Sequence, residues 1–175
     1  MDWNEVLDAG DVDSGVINVV VEIPMGSNNK IEWKRDLKVM NLDRIDPKIF
    51  AKPTNYGFIP QTLDVDGDEL DALVITDDPL PTGVYLKARV LGVMKFVDGG
   101  DIDDKIICVP EDDRTTGNHI KTLEDIPEQL LKQITFHFNH YKDLKKAGDT
   151  EVKGIEGYDE AIETIHEAEK RWQDR

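Results

Sequence analysis

The stretch DVDGDELD, Asp64 to Asp71, holds five carboxylates in eight residues and runs directly into the apolar ALVI of residues 72–75. Two unit charges about 5 Å apart repel by roughly 3 kcal/mol at an effective dielectric near 20. Such a cluster must be solvated or neutralised by cations. Asp-Gly is also a strong turn pair, so the segment reads as a hairpin turn, a solvated acidic loop or a divalent-cation site. A calcium loop of EF-hand type is excluded: its sixth position would be Glu69 rather than glycine, and its twelfth Ile75 rather than glutamate. In the cation reading, Asp66, Asp68 and Asp71 converge from a tight turn beside a rigid strand. Oxygen-only donors of this kind suit Mg²⁺ or Mn²⁺.

A second acidic turn, VDGGDIDDK (97–105), repeats the theme between strands. Lys30 and Glu32 project to the same face of a predicted strand, Arg44 ends an LDR run, and Tyr141 and Lys142 lie at the end of a predicted helix. Aspartate clusters with lysines and arginines between them point to a metal–phosphate site, with carboxylates for the metals and cations for phosphate oxygens. Other chemistries find no support. The chain has no P-loop, dinucleotide-type glycine fingerprint, HExxH or nucleophile elbow, and its two serines, Ser14 and Ser27, have no catalytic context. His137 and His140 stand three apart on a helix, a spacing open to metal binding or to an ordinary satisfied or solvent-facing pair.

The elements that must hold these groups are mostly strands. GVINVVVEIP (15–24) is rich in β-branched residues and stops at Pro24. KIEWK and LKVMNL follow as short strands, DALVIT (71–76) as a buried one, and VYLKARVLGVMKFV (84–97) as an alternating one. DKIICVP is expected to close the β part. Many short strands without intervening helices predict a small barrel. The last third is helical: DIPEQLLKQITFHFNHYKDL, with Asp125 as N-cap and Glu128 completing a capping box, then YDEAIETIHEAEKRW. Leu130, Ile134, Phe138 and Tyr141 form one inward stripe; Ala161, Ile162, Ile165, Ala168 and Trp172 form the other. The expected class is α+β, mainly β: one domain over 1–175, a barrel flanked by two main helices.

Composition narrows the partners. Acids number 37 and Lys plus Arg 21, a formal charge of −16. That argues against nucleic acid or an anionic membrane as a partner but not against a small anion in a local basic pocket. Cys108, the single cysteine, reads as a small buried hydrophobe. The acidic N-terminus does not read as a signal peptide, no apolar run reaches membrane-spanning length, and the expected location is the cytoplasm.

In order along the chain, VVVEIP, KIE, LDR, KPTNYGFIP, DGDELDALV, GVMKFVDGGDIDDKIICVP and HFNHYKDL resemble a family I soluble inorganic pyrophosphatase. DGDELD fits that family's D-x-D-x-x-D signature. The resemblance spans nearly the whole chain and implies a five-stranded OB-like barrel that splits pyrophosphate with Mg²⁺, with Mn²⁺ or Zn²⁺ as substitutes. It implies Asp66, Asp71 and Asp103 as ligands of a central metal pair, and Asp98, shared with Asp103, as a ligand for a metal arriving with substrate. Asp68 would act on the attacking water, and Glu22 and Glu32 would hold metal-bound waters. Lys30, Arg44, Tyr56, Lys105, Tyr141 and Lys142 would clamp phosphate. No covalent intermediate is implied, and prokaryotic relatives suggest a homohexamer. The chain departs from the family pattern at Lys52, where tyrosine is usual, and at Gly99, where an acid is usual. Two rivals stay open: a non-enzymatic OB-type binding module, and a Mg²⁺-dependent phosphohydrolase of nucleotides or polyphosphate.

Overall fold

A computed structural model describes residues 1–175, and its strands largely follow the β-branched and alternating stretches. They are β1 Gly10–Asp11, β2 Val16–Ile23, β3 Asn29–Lys34, β4 Val39–Ile45, β5 Asn55–Phe58, β6 Asp71–Val74, β7 Tyr85–Asp98, β8 Asp101–Ile102, β9 Lys105–Pro110 and β10 Thr150–Glu156. The helices are α1 Trp3–Val6, α2 Glu128–His140, α3 Asp143–Lys146 and α4 Tyr158–Gln173.

β2, β5, β6, β9 and β7 pair in succession, and a β2–β7 pairing closes the ring. This is the expected five-stranded OB-like barrel. All its pairings are antiparallel except β6–β9, which is parallel. β2 is almost wholly buried because both its edges are paired, which is why VINVVVEI carries so few polar residues. β3 and β4 form a separate two-stranded arm with Lys30 opposite Arg44.

Alternation divides the strands between two cores. Ala72 and Val74 of β6, with Ile106 and Cys108 of β9, pack with Ala161, Ile165 and Ala168 of α4. Leu73, with Ile107 and Val109, joins Ile134 and Phe138 of α2 in the second core. In β7 the alternation slips between Val90 and Gly92, where the register with β9 shifts. A Cβ on Gly92 would lie 2.4 Å from the Glu156 carbonyl oxygen, so that crossing requires glycine.

Two expectations on the elements are corrected, and β5 adds to them. DKIICVP does not end the β part: β10, between the two main helices, adds to the free edge of β7. Its sequence, TEVKGIE, is polar and broken by Gly154, so its periodicity is faint. β5, four residues containing a glycine, was equally quiet. Second, α2 starts at Glu128 with Pro127 at the N-cap. The Asp125 carboxylate instead accepts from the N–H groups of Lys121 (2.8 Å) and Thr122 (2.9 Å), closing a separate turn. Pro127 is the cause: it forces Ile126 to an extended ψ of 130°.

Candidate active site

One cleft of about 470 Å³ opens at a mouth of the barrel and runs beneath the β3–β4 arm. Its lining includes Glu22, Lys30, Glu32, Tyr56, Asp66, Asp68, Asp71, Asp98, Asp103, Lys105 and Tyr141, so eleven of the thirteen candidate residues share it. The other two flank it. Arg44 sits opposite Lys30 on the arm, and Lys142 donates to both oxygens of Asp98 at 2.5 and 2.6 Å.

Strand register places the central groups. Asp71 opens β6 and Lys105 opens β9, and the parallel pairing sets them side by side. The Lys105 side chain is 2% exposed, and its ammonium donates to Asp71 Oδ2 at 2.7 Å and Asp103 Oδ1 at 2.5 Å. Burial would lower its pKa, but Asp71 and Asp103 outweigh that and hold it above the usual lysine range. Burial raises Asp103; Lys105 opposes this, and the charges of Asp71 and Asp98 add to the rise. The Tyr56 hydroxyl donates to Asp71 Oδ2, and that of Tyr141 to Asp98 Oδ2 at 2.9 Å. Burial, then the neighbouring carboxylates, push both phenols up.

The loop before β6 is held by its own backbone. Asp64 N–H donates to Asp68 O (2.7 Å), Asp68 N–H donates to Asp66 Oδ1 (3.0 Å), and Gly67 adopts φ +97°. This leaves Asp66 and Asp68 exposed to the cleft. Burial, then Asp66 and Glu69, raise the Asp68 pKa. Asp64 turns inward to Arg171 (3.4 Å), and its burial pushes it up to about 6. On the facing wall, buried Glu22 accepts from Trp33 N–H at 2.6 Å and is raised by burial. Burial would also raise Glu32, but the ammoniums of Lys30 and Lys34, each 2.6 Å away, hold it low.

Nine carboxylates and five cations line the cleft, an excess of four negative charges. No three acidic or imidazole side chains are gathered to chelate one point; the Lys105 ammonium stands between Asp71 and Asp103. The two helix histidines diverge: His137 faces Lys52, and His140 Nδ1 meets Asp143 at 2.7 Å. Sequence reasoning missed Lys34, Arg35 and Glu69 as cleft residues. Lys34 had a usable signal, since it shares a strand face with Lys30 and Glu32. Arg35, which meets Glu69 across the chain (2.8 Å), had none, whereas Glu69 belongs to the acidic DVDGDELD stretch. Of the two departures, Lys52 lines the cleft and Gly99 does not. Gly99 has φ +60° in the β7–β8 turn, where a side chain would be strained.

Hard oxygen donors interleaved with fixed ammonium groups, at one mouth of an OB-like barrel, make a site of the class that handles phosphate with divalent cations. Comparison with known proteins narrows the class. The family model described as inorganic pyrophosphatase matches residues 19–173. The chain is 66% identical over 171 residues to an inorganic pyrophosphatase of Neisseria meningitidis, covering 98% of this chain and 97% of the relative. It is 62% identical to one of Haemophilus influenzae, covering 99% of each. The crystal structure of an inorganic pyrophosphatase from Neisseria gonorrhoeae superposes with a TM-score of 0.97 at 66% identity, covering 98% of this chain and 99% of that one. The chain belongs to the family I inorganic pyrophosphatases and is an enzyme, an inorganic diphosphatase. No helix in it is long and apolar enough to cross a membrane.

Proposed function

We propose that this cleft hydrolyses inorganic pyrophosphate to two orthophosphates with Mg²⁺ and water, without a covalent enzyme intermediate. The observation that carries the reading is the carboxylate excess in a cleft that also holds cations suited to phosphate. A polyanion enters such a cleft only with added positive charge. The donor set fits: all oxygen, which suits Mg²⁺ and accepts Mn²⁺ or, less selectively, Zn²⁺. Asp66, Asp71 and Asp103, with Asp98 and Glu22, would hold the metals. A divalent cation held by these residues would lower the pKa of water and offset phosphate charge.

The chain's own groups do the rest. Asp68, exposed to the cleft with a raised pKa, takes the proton from the attacking water. Lys30, Arg44, Lys105, Tyr141 and Lys142 bind phosphate oxygens, Tyr56 steadies Asp71, and Glu32 orients Lys30. Neither serine nor the single cysteine competes as a nucleophile. Ser14 and Ser27 lie outside the cleft lining, and burial drives the Cys108 thiol up and away from the thiolate. The reading includes one domain over 1–175, a cytoplasmic location, a homohexamer, and no nucleic-acid or membrane partner.

Phosphate release from pyrophosphate, ATP and tripolyphosphate, each with and without Mg²⁺, tests it. Release from pyrophosphate alone, and only with metal, is expected. Preference for ATP or tripolyphosphate would favour the wider phosphohydrolase, and no release a binding module. Sedimentation of the purified chain tests the hexamer.

A further inference from the structure

We propose that Lys52 is a further substrate-binding residue, whose ammonium takes a phosphate oxygen of pyrophosphate directly and is aimed at it by His137. This rests on the pyrophosphatase reading of the cleft and adds a group at a position where the chain departs from the family pattern.

Lys52 is 9% exposed and lines the cleft. Each other cation of the lining already has a carboxylate: Lys30 and Lys34 share Glu32, Arg35 has Glu69, and Lys105 has Asp71 and Asp103. Lys52 has none. Its one close polar neighbour is His137 Nε2, at 3.4 Å. The rings of Tyr56, Phe138 and Tyr141 surround the ammonium at 5.3, 5.6 and 5.0 Å. Their π faces offset only part of the cost of burying a charge without a counter-ion. That cost lowers the Lys52 pKa to about 8, which leaves it mostly protonated near neutrality. Methionine would fill the same cage without the penalty, so the charge has no structural use.

Its setting supplies one. Tyr56 and Tyr141, two of the rings around Lys52, donate to Asp71 and Asp98, which mark the two acidic turns of the cleft. A phosphate oxygen bound beside these tyrosines would meet the Lys52 ammonium. The paired cations must loosen a carboxylate before they bind phosphate; Lys52 gives up only a contact to a neutral imidazole. Lysine has only donors, so His137 Nε2 accepts and its proton sits on Nδ1. Burial, then the charge of Lys52, lower the His137 pKa to about 3, which keeps the ring neutral and accepting.

The test compares the Mg²⁺-loaded wild type with Lys52→Met and His137→Phe, reading KM and kcat for pyrophosphate, inorganic phosphate affinity by calorimetry, and the melting temperature without anion. For Lys52→Met, KM should rise and phosphate affinity fall by about ten- to a hundredfold, the loss of one charge-assisted hydrogen bond. kcat should change less, and the anion-free protein should melt higher. For His137→Phe, KM should rise and phosphate affinity fall a few-fold, with Lys52 still present. Phosphate affinity and KM unchanged in Lys52→Met would overturn the proposal and leave Lys52 as a cage filler. If Lys52→Met does not fold, Lys52→Tyr, the family's usual residue, takes its place: weaker phosphate binding supports the proposal and equal binding overturns it. A wild type that hydrolyses no pyrophosphate defeats the functional reading instead, and phosphate calorimetry still decides whether Lys52 binds the anion.

Discussion

The barrel mouth and the β3–β4 arm both present charge to the cleft, but they hold it differently. At the mouth, Lys105 is 2% exposed and locked between Asp71 and Asp103 by the register of two central strands. On the arm, Lys30 and Arg44 are 31% and 38% exposed and satisfy acids two residues away, Glu32 and Asp46. The mouth therefore fixes charge in space before any ligand arrives. The arm carries charge that a ligand can recruit by breaking short-range, solvent-screened pairs, each contributing less than about 1 kcal/mol. Stability and chemistry are entangled at the mouth and separable on the arm.

The sharpest way to break this contrast is Lys105→Met. Losing one partner of a buried ionic cluster costs about 3–5 kcal/mol, so the metal-free protein should melt well below wild type. Mg²⁺ should restore part of the loss, because divalent charge can stand in for the ammonium between Asp71 and Asp103. Thermal melts with EDTA and with Mg²⁺ read both effects; a near-normal melt in EDTA would show that the mouth is not held by this lysine.

Asp71→Asn comes next. It keeps the shape and removes the carboxylate that Tyr56 and Lys105 share. Turnover should fall by more than the roughly 10- to 100-fold that loss of an outer-shell metal partner costs, in a protein that still folds. Well-folded Asp71→Asn with near-normal turnover would remove Asp71 from the metal set.

On the arm, Lys30→Gln should raise KM by about tenfold, as expected for one exposed phosphate contact, and leave the melting temperature within ~1 °C. A large loss of stability would mean that the arm is as rigidly coupled as the mouth.

The smallest effect concerns pH. His137 has a value of about 3 in the fold against an ordinary 6.5, so between those values the unfolded chain binds a proton that the fold does not. Its stability contribution is full above pH 6.5 and is lost as pH falls toward 3. Lys52, at about 8 against 10.5, behaves likewise one window higher: its burial cost is present below pH 8 and fades as pH rises toward 10.5. The melting advantage expected of Lys52→Met over wild type should therefore shrink between pH 7 and pH 10. A constant gap would mean that Lys52 titrates normally.

The same contrast explains what was legible in the sequence. The mouth is plain in the sequence: DGDELD and VDGGDIDDK put acids at strand ends, a β-branched run marks β2, and an alternating run marks β7. Elements with weak local patterns stayed hidden, namely β5 with its glycine and β10 with its break at Gly154. The start of α2 is masked because Asp125 has the character of a cap, while Pro127 dictates otherwise. Lys52 was visible as an unusual residue, but only three aromatic rings drawn from β5 and the α2 region show that it is caged rather than reaching solvent. Long-range pairs such as Arg35–Glu69 leave no trace in spacing.

The late strand β10 has a consequence for how the molecule avoids its own kind. Without it, the C-terminal half of β7, among the most apolar strands in the chain, would offer a row of free backbone groups beside Met94 and Phe96. An edge like that templates aggregation. β10 covers it and becomes the new border, and that border repels docking: Glu151, Lys153 and Glu156 stud it, and the irregularity between Val152 and Gly154 bends it out of register. A chain halted on the ribosome after α2, or cut back to Lys146, would keep its acidic cleft residues but lose this guard together with α4, whose Ala161, Ile165 and Ala168 complete the first core. Such a fragment should precipitate at concentrations that the intact chain tolerates.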